Sequence, residues 1–576
     1  MGRHVAGSQA MNRIRPYNDA VVGRTTRGWR GTTSSNQGHE LLPAQRDTAW
    51  LMCTRAPALI VTNVRVVRGV ALVFSMLLVI AAGASSAEAT TLHRGSPVAP
   101  HAPSLSPSAS RADAARRHQI VPPTSGSNWP AYLFGATHGS DNVSATAITT
   151  SNASSLRAVW SYIPTGRKPL GNVIYSSPIV YGGQVYVGSQ NGTFYDLNET
   201  TGAVVWRHYA GVQPQTTCGV VTGRGFVSTA TVASSPATGR TTVYVTAPNG
   251  FMYAWNASNG RLEWRSVVAI PSKNQNDYFN WSSPTVANGR IYVGVSSNCD
   301  HPLVQGGERV YDQASGQLLA TFDTTPPNDA GGSIWSSALV ASDGSVYVTT
   351  GNQTSQGGAP GYSQSIVRLD PNTLQVDNYW TLPENQQASD GDFGGSATGW
   401  TANLPSGPTA MVGACNKNGT YYALNASDLA AGPVWQDPID EYLGGVGICL
   451  AAAVWDQAGG RLLLSGSNAT INGTSYGGSV QDTNPATGAA IWQTGLPAAV
   501  MGTPTLDGAG VLAVPTMPRQ AGETSAVYLL NESNGQVLYT INTGNTPVFA
   551  QPVFADNYVF VATAGGGVTA YEPTAG

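Results

Sequence analysis

Charge is what this sequence has least of: Asp, Glu, Lys and Arg together make up 11% of its 576 residues. So few charges argue against an architecture of long solvated helices. The net charge of −3, with no basic cluster interleaved with aromatics after residue 120, gives no reason to expect a nucleic-acid partner. Histidine is sparse at eight residues, and no Ser/His/Asp arrangement stands out, so a hydrolase finds little support. There is no Cys-x-x-Cys-His haem-attachment motif among the five cysteines. The apolar run from Val70 to Ala82 is too short for a comfortable membrane span.

That run does fit another role. Arg65 and Arg68 precede it and small residues end near Ala87-Glu88-Ala89, the order of a secretory signal, expected over residues 61–89. Secretion or an extracellular location follows. If the signal stays uncleaved, it becomes a cell-surface anchor and the membrane a partner. A charged flank normally opens such a chain, yet Arg-rich, aperiodic residues 1–60 precede it, so they are expected to be an untranslated upstream segment. Residues 90–126 are a Pro/Ala/Ser-rich linker. The exported part keeps Cys218, Cys299, Cys415 and Cys449, an even count that favours two disulfides and allows three pairings. Cys415 and Cys449 most simply staple neighbouring units.

Glycine is abundant, at 67 residues, and it punctuates a repeat. The stretch YSSPIVYGGQVYVGSQNGTFYDLNETTGAVVW holds four strands joined by Gly-Gly, Asn-Gly and Thr-Gly turns. These pairs supply the positive φ that tight hairpins require. Echoes include WSSPTVANGRIYVGVSS and WSSALVASDGSVYVTTG. A closing aromatic or its equivalent falls at Trp160, Trp206, Trp264, Ala320, Trp380, Trp435, Trp492 and Tyr539. Eight such units, spaced like propeller blades, predict an all-β, eight-bladed propeller of four-stranded antiparallel blades over residues 127–576. The last unit stops after its third strand, while LRAVWSYI near the start is an orphan fourth strand. Pairing the two closes the ring.

The unit YDLNETTGAVVW resembles the tryptophan-docking repeat of the pyrroloquinoline quinone (PQQ) propeller family, and residues outside the repeat resemble those of quinoprotein alcohol dehydrogenases. That family stacks a quinone on the Trp of a Gly-Gly-x-x-Trp segment; GGSIW offers Trp335. A Gly-Asn at the end of the next strand binds calcium there, and TTGNQ offers Asn352. VGVSSNCD offers the acidic ligand Asp300. SDGDFGGS offers Asp392 as catalytic base and further ligand, with Asp390 as a second candidate for the base, and it lacks the family's Trp. CNKNGTYYAL offers Lys417 to the quinone oxygen, and TTCGVVTGRG offers Cys218 and Arg224 to the cofactor. The resemblance implies PQQ with calcium or another hard cation, a small or polymeric alcohol as substrate, and a separate electron acceptor. It departs from the family's adjacent cysteine pair, because only Cys218 stands there; pairing with Cys299 is its implied substitute. The alternative function is a non-catalytic secreted propeller that binds a protein or glycan on its face.

Overall fold

The computed structural model describes residues 126–165, 172–213, 224–273, 276–353, 361–388, 390–441, 448–544 and 546–574. These residues form eight antiparallel sheets arranged as blades around a central channel. Blade one is Ile179–Tyr181, Gln184–Gly188, Thr193–Asn198 and Val204–Tyr209, running from the channel outward. Blades two to seven repeat this order, with innermost strands at Thr231–Ser234, Thr285–Ala287, Leu339–Val340, Thr398–Leu404, Val454–Asp456 and Thr505–Asp507. Blade eight takes three strands from the C-terminal end, beginning with Val553–Ala555, and its outermost strand, Leu156–Tyr162, from the N-terminal side. The closure expected from the orphan strand is observed, and it leaves no blade short of an edge.

The closing tryptophans sit on the outermost strands and dock onto the next blade's last turn. Trp206 covers Gly260, where a Cβ would come within 2.7 Å of the indole, and its Nε1 donates to the Ala257 carbonyl at 3.1 Å. Ala320 is the exception, and its partner compensates. The corresponding turn of blade four carries Leu374 in place of glycine, with φ of 54°, and this buried side chain packs in the same apolar cluster as Ala320. The missing indole volume is supplied from the other side of the contact.

Polar belts also link the blades. The Ser177 amide donates to the Thr229 hydroxyl, Thr229 to Ser283, Ser283 to Ser337 and Ser337 to Ser396, at 2.9–3.0 Å. Ala452 interrupts this belt in blade six. Gln551 takes the place in blade eight, and there its side chain turns to the channel.

What it meets is a segment that the repeat pattern does not foretell. Residues 127–142 line the channel and bond to the innermost strands of most blades. The carbonyls of Pro130, Ala136, Gly139 and Ser140 accept from the amides of Val232, Val340, Trp455 and Leu506 at 2.8–3.0 Å. Trp129 pairs with Val180, and Asp141–Asn142 adds a short parallel strand to blade seven. Gln551 accepts from the Leu133 amide and donates to Ser140 Oγ. Asn128 and Ser127 bind the inner hairpin turns of blades one and eight, at Gly182 and Asp556. Those turns lie at the end of the channel opposite the loops that precede the innermost strands. The segment therefore runs from these back turns along the channel to residues just before the innermost strands, such as Gln551.

Its anchoring is sensitive to pH. Burial pushes His138 down to about 4, against the hydrogen bond to the Ala397 carbonyl, so the buried imidazole is neutral and donates through Nδ1. Burial, with Asp456 nearby, pushes Asp141 up to about 7, and burial raises Asp507 to about 7 and Glu532 to about 8. Carboxyls raised in the fold contribute stability at low pH that is lost as pH rises through 7 to 8; the depressed imidazole contributes stability above 6.5 that is lost as pH falls toward 4. The carboxyls outnumber the imidazole, so the cation-free protein should have a lower melting temperature at pH 8.5 than at pH 6. A thermal melt at the two pH values checks this; an equal or higher value at pH 8.5 would mean these carboxyls are ionised in the native ring.

Candidate active site

The front of the channel is built from two kinds of loop: those that lead into innermost strands and those that follow second strands. Trp335 and the Asp390-Gly391-Asp392 loop are of the first kind, before blades four and five. Asp300, Asn352 and Lys417 are of the second kind, on blades three, four and five. Residues far apart in sequence thus converge because adjacent blades repeat the same geometry.

Ligand oxygens of Asp300, Asp390 and Asp392 all lie within 4.8 Å of one another. Lys417 Nζ binds two of these acids, at 2.5 Å from Asp390 Oδ1 and 2.6 Å from Asp392 Oδ2. It also stands over the Trp335 ring, 5.4 Å from its centroid, a cation–π distance. Asp392 is the most enclosed acid, with 5% of its side chain exposed against 25% for Asp390. Its Oδ1 accepts the Asn352 amide at 2.5 Å. Gly351 allows this approach, since a Cβ there would stand 2.7 Å from that same oxygen. Asp300 accepts from Ser297 Oγ, which in turn bonds Ser333, and Asn352 also bonds it through its side chain. Cys299 and Asp300 both hold left-handed backbone, with φ of 61° and 57°, a local strain of the kind that functional loops retain.

Burial and the neighbouring charges displace the titration of Asp300, Asp390 and Lys417. Burial raises Asp300, and Asp392 beside it adds to the rise. Burial also raises Asp390 to about 6, although Lys417 opposes the shift. For Lys417 burial acts downward, but the charges of Asp392 and Asp390 outweigh it and the ammonium is held well above its usual range. The ammonium stays charged and balances part of an acid-rich site.

Trp335 lies half-buried against Gly394, where a Cβ would approach its ring to 2.6 Å, and beside the apolar group of Ile448, Leu450, Met501 and Met517. Arg224 is further around the ring. Its guanidinium stacks 4.4 Å from the centre of the Trp281 ring, and Nη2 lies 3.3 Å from Cys299 Sγ. Cys299 is disulfide-bonded, while Cys218 lies outside the described residues. Cys415 and Cys449 form a disulfide that ties blade five to the segment entering blade six.

The structure therefore brings Asp300, Trp335, Asn352, Asp390, Asp392 and Lys417 into one cluster and sets Arg224 beside Cys299. Sequence reasoning missed Ser297, Ser333, Trp281 and Asn416. Trp281 had a signal, since NWSSP repeats the IWSSA context of Trp335. The serines had none, because serine recurs in the loops that lead into blades one to five and in ordinary turns.

An eight-bladed ring with acids, an amide, a lysine and an indole at its front is the arrangement of a quinoprotein-type propeller. The chain belongs to the PQQ family described as "Glucose/ethanol/alcohol dehydrogenase, beta-propeller domain", whose model matches residues 129–425. A second model, described as outer membrane protein assembly factor BamB, matches residues 476–576. Polyvinylalcohol dehydrogenase of Pseudomonas sp is 25% identical over 51% of this chain and 49% of its own length. Quinohemoprotein alcohol dehydrogenase ADH IIB of Pseudomonas putida is 22% identical over 44% of this chain and 40% of its own length. The chain thus spans half or less of the length of these relatives. Among solved structures, a europium-containing methanol dehydrogenase superposes with a TM-score of 0.64 at 16% identity, covering 77% of this chain and 98% of that one. The quinohemoprotein alcohol dehydrogenase of Comamonas testosteroni gives 0.60 at 15% identity, covering 77% and 80%. These likenesses bear on the fold.

Proposed function

We propose that this protein is a secreted PQQ-dependent dehydrogenase that oxidises an alcohol. The observation that carries the proposal is the convergence of Asp300, Asn352, Asp390, Asp392 and Lys417 beside the Trp335 ring. The donor set fits the cofactors. Carboxylate and amide oxygens without sulfur or imidazole suit a hard cation, calcium or a larger and more highly charged one. An indole face suits a planar quinone, and Lys417 and Arg224 suit its oxygens and carboxylates.

Bound together, quinone and cation would supply the two-electron acceptor and the Lewis acid. Asp300, Asn352 and Asp392 would hold the cation. Asp390 is the more open acid, so we assign it the hydroxyl proton, whereas the sequence alone favoured Asp392 as the base. Lys417 holds both acids in place and presents its remaining N–H toward the Trp335 face, where charge would develop. The cluster's loops lie at the front of the channel, which would be the route for a small or polymeric alcohol and for a separate electron acceptor. Polyvinyl alcohol, which the name of one relative specifies, is one candidate substrate.

The test is a visible spectrum of the purified protein after incubation with PQQ and calcium or a lanthanide, followed by desalting. Quinone absorbance should be retained, and Trp335→Ala and Asn352→Ala should lose it while staying folded. Absence of retention with either cation would reject the assignment and favour a binding scaffold.

A further inference from the structure

The two acids of the Asp390-Gly391-Asp392 loop flank a glycine, the residue type least able to fix its own backbone. Something else must hold it. Asn416 is fully buried at the end of blade five's second strand, one residue before Lys417. Its Nδ2 donates to the Gly391 carbonyl at 2.7 Å, the peptide oxygen between the two acids. Its Oδ1 accepts from the Asn418 amide at 2.9 Å, which fixes the side-chain orientation. The next backbone amide, that of Lys417, donates to the Asp392 carbonyl at 2.9 Å. Gln364 closes the other side: its Nε2 donates to Ala388 O at 3.1 Å, and a Cβ on Gly391 would stand 2.5 Å from its Oε1.

From this geometry we infer that Asn416 is a positioning residue for the cation site, setting the direction of the Asp390 and Asp392 carboxylates without touching any ligand. The inference rests on the proposed function. The amide supplies what the loop needs, a donor for Gly391 and an acceptor toward its own turn. Rotation of the Gly391 peptide would swing both carboxylates away from Asp300 and Lys417. Outer partners of metal ligands commonly set affinity by about 10- to 100-fold.

The test uses the full-length protein without quinone and terbium as the probe, read by tryptophan-sensitised emission, with calcium as competitor. Asn416→Ala removes both hydrogen bonds. Asn416→Asp keeps the acceptor for Asn418 and replaces the donor with an oxygen that repels Gly391 O, at nearly constant volume. Asn418→Ala, in the same turn, is the control for a purely structural effect. The expected result is that Asn416→Asp, folded by circular dichroism, binds terbium about 10- to 100-fold more weakly than the parent, while Asn418→Ala binds like the parent. After loading with quinone at saturating cation, the same variant should lower kcat with little change in KM. Folded Asn416 variants with parental terbium affinity would overturn the inference alone. A parent protein that binds no terbium would overturn the site assignment, and the inference with it.

Discussion

Replacing Asp392 with alanine is expected to abolish hard-cation binding and to lower alcohol oxidation by at least about a thousandfold, with the ring still folded. Asp392 is the most enclosed of the three acids and joins three parts of the site. One oxygen faces the Asn352 amide and the other the Lys417 ammonium. Without it, the remaining acids are Asp300 on blade three and Asp390 on the more open side of the loop. Asp390→Ala should behave differently. That variant keeps Asp300, Asn352 and Asp392, so it should bind the cation within about tenfold of the parent and still lose turnover, because the proton acceptor is gone. Cation titration and a dye-linked assay on both variants decide the assignment. If Asp390→Ala loses the cation while Asp392→Ala keeps it, the two acids exchange roles.

The ring was legible in the sequence because its signals are local. Asn-Gly and Gly-Gly turns, alternating strands and spaced closing aromatics are each read within a dozen residues, and closure follows from one orphan strand. The Ala320 irregularity was visible, but its compensation by Leu374 was not, because that contact crosses between blades. The same reason hides the segment over residues 127–142. It has no periodicity of its own, and its partners include backbone amides on six blades, which any side chain could accompany.

The site was legible to a different extent. Asp300, Trp335, Asn352, Asp392 and Lys417 could be named from motif order, since the family's loops recur at fixed places in the repeat. The proposed division between Asp390 and Asp392 rests on their exposures, 25% and 5%, because both fit the same spacing. Asn416 was not singled out in CNKNG, and only the partner of its Nδ2 distinguishes it. Hydrogen bonds between separate loops carry no sequence pattern that one chain can reveal.

The second large effect concerns Lys417. Methionine there keeps most of the volume and removes the charge that the acids share. With 13% of the lysine side chain exposed and 5% of Asp392, the ion pair is well shielded from water. Breaking a buried pair from one side costs about 3–5 kcal/mol, because the partner charge is left uncompensated. Here three carboxylates would crowd within 4.8 Å without their ammonium. The cation-free Lys417→Met protein should therefore melt well below the parent at neutral pH. A hard cation should reverse much of that loss, because it restores positive charge to the same oxygens and binds only the folded ring. Calcium or a lanthanide should then raise the melting temperature of Lys417→Met by more than it raises the parent's. Activity should stay low even when the variant is loaded, since the donor beside Trp335 is missing. Thermal melts of both proteins with and without cation measure the difference. An equal cation-induced rise in the two would mean that Lys417 and the cation do not share these acids.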